Sequence, residues 1–203
     1  YQLILPPGSW IDIAAADEAA NAAEQALAVG NADAAVLNAS TAESLAHGTF
    51  LPGEDAGWVS ERRAELREIL VRALECLAEA NRMRGDPAAA VRAADELIVL
   101  EPFRESGYRL LMQAQSAAGN DAEALRTNER CRALLSEELG TYPSPETEAV
   151  YLEILRNSPG SSAAQPEQLD PDGRPSESPP IAIGEAHTRG RRKLAALITA
   201  VLL

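Results

Sequence analysis

Apolar positions recur at helical spacing over most of this chain and alternate over almost none of it. Ala19, Ala23, Ala26 and Leu27 share one face of a predicted helix from Ala14 to Val29. A second helix is predicted from Ala32 to Leu45. A loop from His47 to Gly57 follows, in which Phe50 and Leu51 are expected to cover the edge of the core. Trp58 opens the longest predicted helix, to Arg84, with Leu66, Ile69, Leu70, Ala73, Leu74, Leu77 and Ala80 as its apolar stripe. Arg62, Glu65, Glu68, Arg72, Glu75 and Glu79 are expected to form its wet side, with weak i,i+4 pairs. Asp86 and Pro87 read as the cap and first turn of a helix that ends at Leu100, before Glu101-Pro102. Another helix is expected from Pro102 or Phe103 to Ala118, and one from Asn120 or Asp121 to Leu139. The last begins with Ser144 as cap and Pro145 in its first turn, and ends near Leu155. Thr147 stands where a capping box requires Glu or Gln, so no box is expected. Alternation survives only in residues 1–13, where Tyr1, Leu3 and Leu5 share a face and Pro6-Pro7-Gly8 turns the chain. That segment reads as extended: a small hairpin, or the last strand of a domain lying upstream.

Three glycines punctuate the helices. Gly30, Gly85 and Gly119 each open a similar six-residue pattern with alanine at the fifth following place: Ala35, Ala90 and Ala124. Gly85 and Gly119 are 34 residues apart, the period of tetratricopeptide helix pairs. Leu77, Ala78, Leu97 and Pro102 also fall at expected places, as does Leu111 in the next unit. Alanine has a physical reason there: two helices of a pair cross closely, and a larger side chain would hold them apart. Gly140 and Pro143 complete the punctuation after the last unit. The expected fold is all-α: tetratricopeptide-like antiparallel helix pairs in a short right-handed solenoid. Such solenoids bind partners along a concave face, so a protein-binding or regulatory module is favoured over an enzyme.

Composition narrows the function further. Residues 1–156 carry the whole net charge of −13, and residues 157–203 are balanced. A body this acidic repels phosphate backbones, which disfavours direct DNA binding. His47 and His187 lie in unlike loops, and no nucleophile–base set, metal-ligand cluster or phosphate-binding glycine loop is present in the sequence. No catalytic residue, cofactor or metal is therefore expected. Adjacent carboxylates at Asp95-Glu96 and Glu137-Glu138 point about 100° apart on a helix and read as solvated. Cys76 and Cys131 read as small buried residues, with a disulfide between them left open. Arg104, Glu105 and Arg130 are candidate partner contacts, with an ion pair to a neighbouring helix the plainer expectation for Arg104. Residues 157–188 are rich in Pro, Gly and Ser and read as a flexible linker. Arg189-Gly190-Arg191-Arg192-Lys193 then precedes an apolar run from Leu194 to Leu203. Basic residues before an apolar run suggest the start of a transmembrane helix, with a short tail helix or a DNA arm as alternatives.

Several ordered motifs carry a family resemblance. They are Ala73-Leu74-Glu75-Cys76-Leu77-Ala78-Glu79-Ala80, Leu100-Glu101-Pro102-Phe103-Arg104-Glu105, Leu110-Leu111-Met112, Arg130-Cys131-Arg132 and Glu138-Leu139-Gly140-Thr141-Tyr142-Pro143-Ser144-Pro145. Residues 58–156 thereby resemble the bacterial transcriptional activator domain of the Streptomyces antibiotic regulatory protein family and related regulators. The resemblance implies a module following an OmpR-like winged helix, of which residues 1–13 would be the end. Residues 14–156 would be the helical module, 157–188 a linker and 189–203 the start of an anchor. It also implies partners: a second copy, RNA polymerase, or the winged helix itself. DNA would be reached only through that absent upstream domain. The expected location is cytoplasmic, with an anchored parent protein if the apolar run continues. Asn128 departs from the family's usual aromatic, and Tyr142 from its frequent Asp. A generic tetratricopeptide scaffold, or the adaptor of a membrane sensor, is the competing reading.

Overall fold

The computed structural model describes residues 12–157. Seven α-helices follow one another: α1 Asp12–Ala28, α2 Ala32–Ala46, α3 Gly57–Met83, α4 Pro87–Leu100, α5 Glu105–Ala117, α6 Asp121–Leu134 and α7 Pro145–Asn157. The same turn closes the first helix of each pair. Gly30, Gly85 and Gly119 take φ of +74°, +74° and +78°, a region that costs glycine little. The next residue then donates its N–H back to the ending helix: Asn31 to Ala26 O, Asp86 to Asn81 O, and Asn120 to Gln115 O, at 2.8–2.9 Å. These bonds satisfy carbonyls that the helix end leaves open. The turn also delivers the next cap. Asn31 Oδ1 accepts from Ala34 N–H at 3.1 Å and Asp86 Oδ1 from Ala89 N–H at 3.0 Å. Asn120 makes no such side-chain bond; there the Ser116 hydroxyl donates to Asp121 at 2.7 Å instead.

Stacking follows from small residues at the crossings. Ala35, Ala90 and Ala124 have no exposed surface. Ala35 meets Ala26 of α1 and Ala80 of α3, so three helices approach on alanine methyl groups, with Leu27 and Val36 packed beside them. Ala124 packs with Met112 of α5 and with Val150 and Ile154 of α7. Each helix packs on the next, and α1, α3, α5 and α7 also touch in sequence. The main core threads Val71, Leu74, Leu97, Leu111 and Cys131 through the successive pairs. This is the tetratricopeptide-like all-α solenoid anticipated from the glycine and alanine spacing.

Five details differ from expectation. Asp12 and Ile13 belong to α1 and are not extended. Helix α5 begins at Glu105 and not at Pro102 or Phe103, because the Tyr108 hydroxyl donates to Pro102 O at 3.0 Å and holds a turn there. The helix expected to reach Leu139 stays α-helical only to Leu134; Leu135–Leu139 form one π-turn, closed by Gly140 at φ +65°. Leu51 is exposed at φ +45°, so only Phe50 covers the core edge, with Trp58 edge-on at 6.1 Å. Asn157 closes α7, which moves the expected linker boundary by one residue. The extended segment expected over residues 1–11, the expected linker, the basic cluster and the apolar run lie outside the described residues.

Two substitutions test this packing. Ala35→Leu overfills a three-helix contact and is expected to lower stability by about 1–3 kcal/mol, read as a lower urea midpoint at unchanged m. Asn128 is 1% exposed and its Oδ1 has no hydrogen-bond partner among the described residues. Asn128→Leu replaces that unmet acceptor with an apolar group of the same Cγ-branched shape and is expected to stabilise by about 1 kcal/mol. An unchanged or lower midpoint would contradict it.

Candidate partner groove

Glu24 and Leu27 of α1, Arg72, Glu75, Cys76 and Glu79 of α3, Ser106, Arg109, Leu110 and Gln113 of α5, and Glu146 and Val150 of α7 line an open groove. Its volume is about 540 Å³, within the range of ligand sites. The four helices are the first members of the three pairs and the closing helix, so stacking aligns them side by side. Leu27, Cys76, Leu110 and Val150 supply apolar floor.

The charged face of α3 is not the freely solvated face expected from its sequence. Arg72 leaves its own helix for α1: it donates to Glu24 at 2.6 Å, to Asp17 at 2.8 Å and to Asn21. These acceptors hold its guanidinium firmly charged. Arg82 pairs with Glu79 at 2.6 Å along α3. Glu75 accepts from Arg104 at 3.1 Å and from the Ser106 hydroxyl, which ties α3 to the start of α5. Half-buried pairs between helices fix geometry more than they add stability.

Glu105 performs a different task. Its Oε2 accepts from Thr147 Oγ1 at 2.6 Å, from Ser144 N–H at 2.8 Å and from Ser144 Oγ at 2.9 Å. In a capping box the third helical residue reaches back to the cap N–H. Here Thr147 cannot, and Glu105 does so from α5. The cap of α7 is thus split between two helices, and α7 is latched onto the groove wall. Partial burial pushes the Glu105 carboxyl up; the Thr147 and Ser144 hydrogen bonds and the Arg109 charge outweigh it and hold the group below the usual carboxylate range. Arg109 itself donates to Thr147 Oγ1 at 3.2 Å.

The residues singled out from the sequence fall in three places. Gly30, Gly85, Gly119 and Gly140 form the helix-ending turns, and Ala35, Ala90 and Ala124 the buried crossings. Pro102 sits exposed in the turn before α5, and Pro143 is buried between Gly140 and α7. Arg104 pairs with Glu75 and, at 3.5 Å, with Glu68. Arg130 lies over the Tyr108 ring at 5.6 Å, a cation–π contact. Arg104, Glu105 and Arg130 all have such partners within the fold. The groove residues Glu24, Arg109, Gln113, Glu146 and Val150 were not singled out; only the regular stacking of first helices could have indicated them. Cys76 and Cys131 are buried free thiols, each pushed up by burial to about 11. Tyr142 is exposed. Among the described residues no group of His, Cys, Asp and Glu could hold a metal ion. Among those residues, too, no helix is long and apolar enough to cross a membrane.

Stacked helix pairs of this kind define a tetratricopeptide-like helical module. The bacterial transcriptional activator domain model matches residues 11–155, and the chain belongs to that family. It is 32% identical over 172 residues to the regulatory protein AfsR of Streptomyces coelicolor, covering 83% of this chain and 17% of AfsR. The structure resembles Mycobacterium tuberculosis EmbR, solved in complex with a low-affinity phosphopeptide. The TM-score is 0.71 at 27% identity, over 78% of this chain and 42% of that one. A tetratricopeptide domain of a Plasmodium falciparum FK506-binding protein matches at TM-score 0.55 and 13% identity, over 73% of this chain and 93% of that one. That likeness shows the fold alone. The chain therefore spans about a sixth of AfsR's length, and it is a module of the kind carried by transcriptional regulators.

The split cap makes a prediction. A carboxyl lowered in the folded state contributes stability above its ordinary pKa of 4.5, and loses it as pH falls through the lowered value. Glu105→Gln is expected to cost about 1 kcal/mol at pH 7, after solvent screening is allowed for, and to flatten the loss of stability below pH ~4.5. Denaturant midpoints across that pH range check both; an unchanged acid limb would contradict the latch.

Proposed function

We propose that this module governs a DNA-reading regulator by holding a protein segment in the groove between α1, α3, α5 and α7. The observation that carries the reading is the groove itself, walled by the first helix of every pair and floored by apolar side chains. The acidic body argues against a direct role on DNA, since residues 12–157 contain all the excess negative charge. The DNA reader belongs, in this reading, to a winged helix preceding the module in the parent protein. The segment held comes from that reader, from RNA polymerase, or from a second copy. EmbR was solved with a phosphopeptide, but here an anionic peptide would meet exposed Glu146 and, at Glu24, Glu75 and Glu79, carboxylates whose arginines are already engaged. A phosphopeptide is therefore the wrong occupant for this groove. The same balance of function holds whether or not the parent protein is anchored through residues 189–203.

Gln113 lines the groove from the half-buried middle of α5. Gln113→Trp would fill it without removing a core contact. In cells producing the parent regulator, that variant is expected to change reporter transcription about fivefold or more, as loss of about 1 kcal/mol in coupling implies. Glu129→Trp, on α6 and away from the groove, is expected to change it less than about twofold. Equal output from Gln113→Trp and the unaltered regulator, at equal protein level, would contradict the reading.

A further inference from the structure

We infer that the groove takes a basic amphipathic protein segment: an apolar anchor flanked by lysine or arginine. This rests on the groove being the docking place and adds the chemistry of what docks. The floor asks for an apolar side chain, because Leu27, Leu110 and Val150 converge there from three helices. Around it stand the carboxylates of Glu24, Glu75, Glu79 and Glu146. Arg104 and Arg82 pair with Glu75 and Glu79 from outside the lining, and with Asp17 and Glu68 counted beside them carboxylates still outnumber guanidiniums. The guanidiniums within the lining are those of Arg72 and Arg109.

Those two cations are turned inward. Arg72 is spent on Asp17, Asn21 and Glu24. Arg109 donates to Thr147 and steadies Glu105. An arriving anion thus finds each groove guanidinium already engaged and meets repulsion from the rim. An arriving cation finds Glu146 exposed at the first turn of α7 and, on the opposite wall, Glu24, exposed and already paired with Arg72. Such a cation can share the carboxylate oxygens of a half-solvated pair without stripping both partners of water, so the contact favours orientation and on-rate at modest desolvation cost. The surrounding excess of negative charge steers the same class of partner towards the groove. An amphipathic helix meets both demands at once, with its apolar stripe on the floor and basic residues along its edges.

The test uses the 203-residue chain and three fluorescent 18-residue probes read by anisotropy. One is a Leu/Lys amphipathic helix, one a Leu/Glu helix with the same Leu spacing, and one a Ser/Lys peptide with the same charge. The Leu/Lys probe is expected to bind about tenfold tighter than either other, a difference that separates anchor from charge. Glu146→Lys is expected to weaken it about fivefold and Gln113→Glu to tighten it about threefold, whereas Glu129→Lys, which changes net charge equally on α6, moves it less than about twofold. Gln113→Trp abolishes binding. Equal binding of Ser/Lys, or equal weakening by Glu129→Lys, would reduce the effect to overall charge and overturn the inference. Tighter binding of Leu/Glu that Gln113→Trp still blocks would leave groove docking standing and overturn the stated chemistry. A concentration-dependent dimer that excludes the Leu/Lys probe and is split by Gln113→Trp would give the groove to a second copy. Binding of every probe indifferent to Gln113→Trp would remove both the inference and the docking reading beneath it.

Discussion

Everything in this structure depends on helices approaching each other on alanine. Helices cross at distances set by the side chains at the contact, and here those side chains are methyl groups at Ala35, Ala90 and Ala124, each without exposed surface. The glycine turns place them. A left-handed glycine ends one helix, its neighbour bonds back to satisfy open carbonyls, and the following helix returns antiparallel with alanine one turn in. Three repetitions of that local device set α1, α3 and α5 side by side, and Glu105 adds α7 through a cap shared across helices. The groove is a consequence of this order and requires no special loop.

Electrostatics then sets the character of the groove. The chain has few cations, and the groove arginines are engaged with neighbouring helices, at Asp17, Asn21 and Glu24 or at Thr147 and Glu105. Carboxylates outnumber guanidiniums around the apolar floor, and Glu146 is exposed at its edge. The chain thus carries a domain of a family found in transcriptional regulators on a body whose net charge is strongly negative.

Much of the fold was legible because its signals are local. Asp86 and Pro87 cap and start α4, and the observed helix runs from Pro87 to Leu100 as expected. Gly30 likewise separates α1 from α2, which starts at Ala32 as expected. What escaped is tertiary. No local rule says that Tyr108 holds Pro102 in a turn and delays α5, or that the end of α6 relaxes into a π-turn. Thr147 correctly ruled out a local capping box, yet the missing carboxylate arrives from α5, 42 residues away in sequence. The charged face of α3 was recognised as polar, but α1 and α5 flank it, so Arg72, Glu75 and Glu79 are half-buried and line the groove. Individual groove residues on α5 and α7 carry no motif; only repetition of the pairs brings them together.

The most direct measurement is native-state hydrogen exchange of the 203-residue chain with and without Ala124→Leu. A stack in which each pair leans only on its neighbours responds locally to a wedge. The account predicts faster exchange in α5, α6 and α7, where Ala124 meets Met112, Val150 and Ile154, with α1 and α2 still protected. Uniform loosening of all seven helices, or no change in any, would contradict helix pairs held together at their alanine crossings.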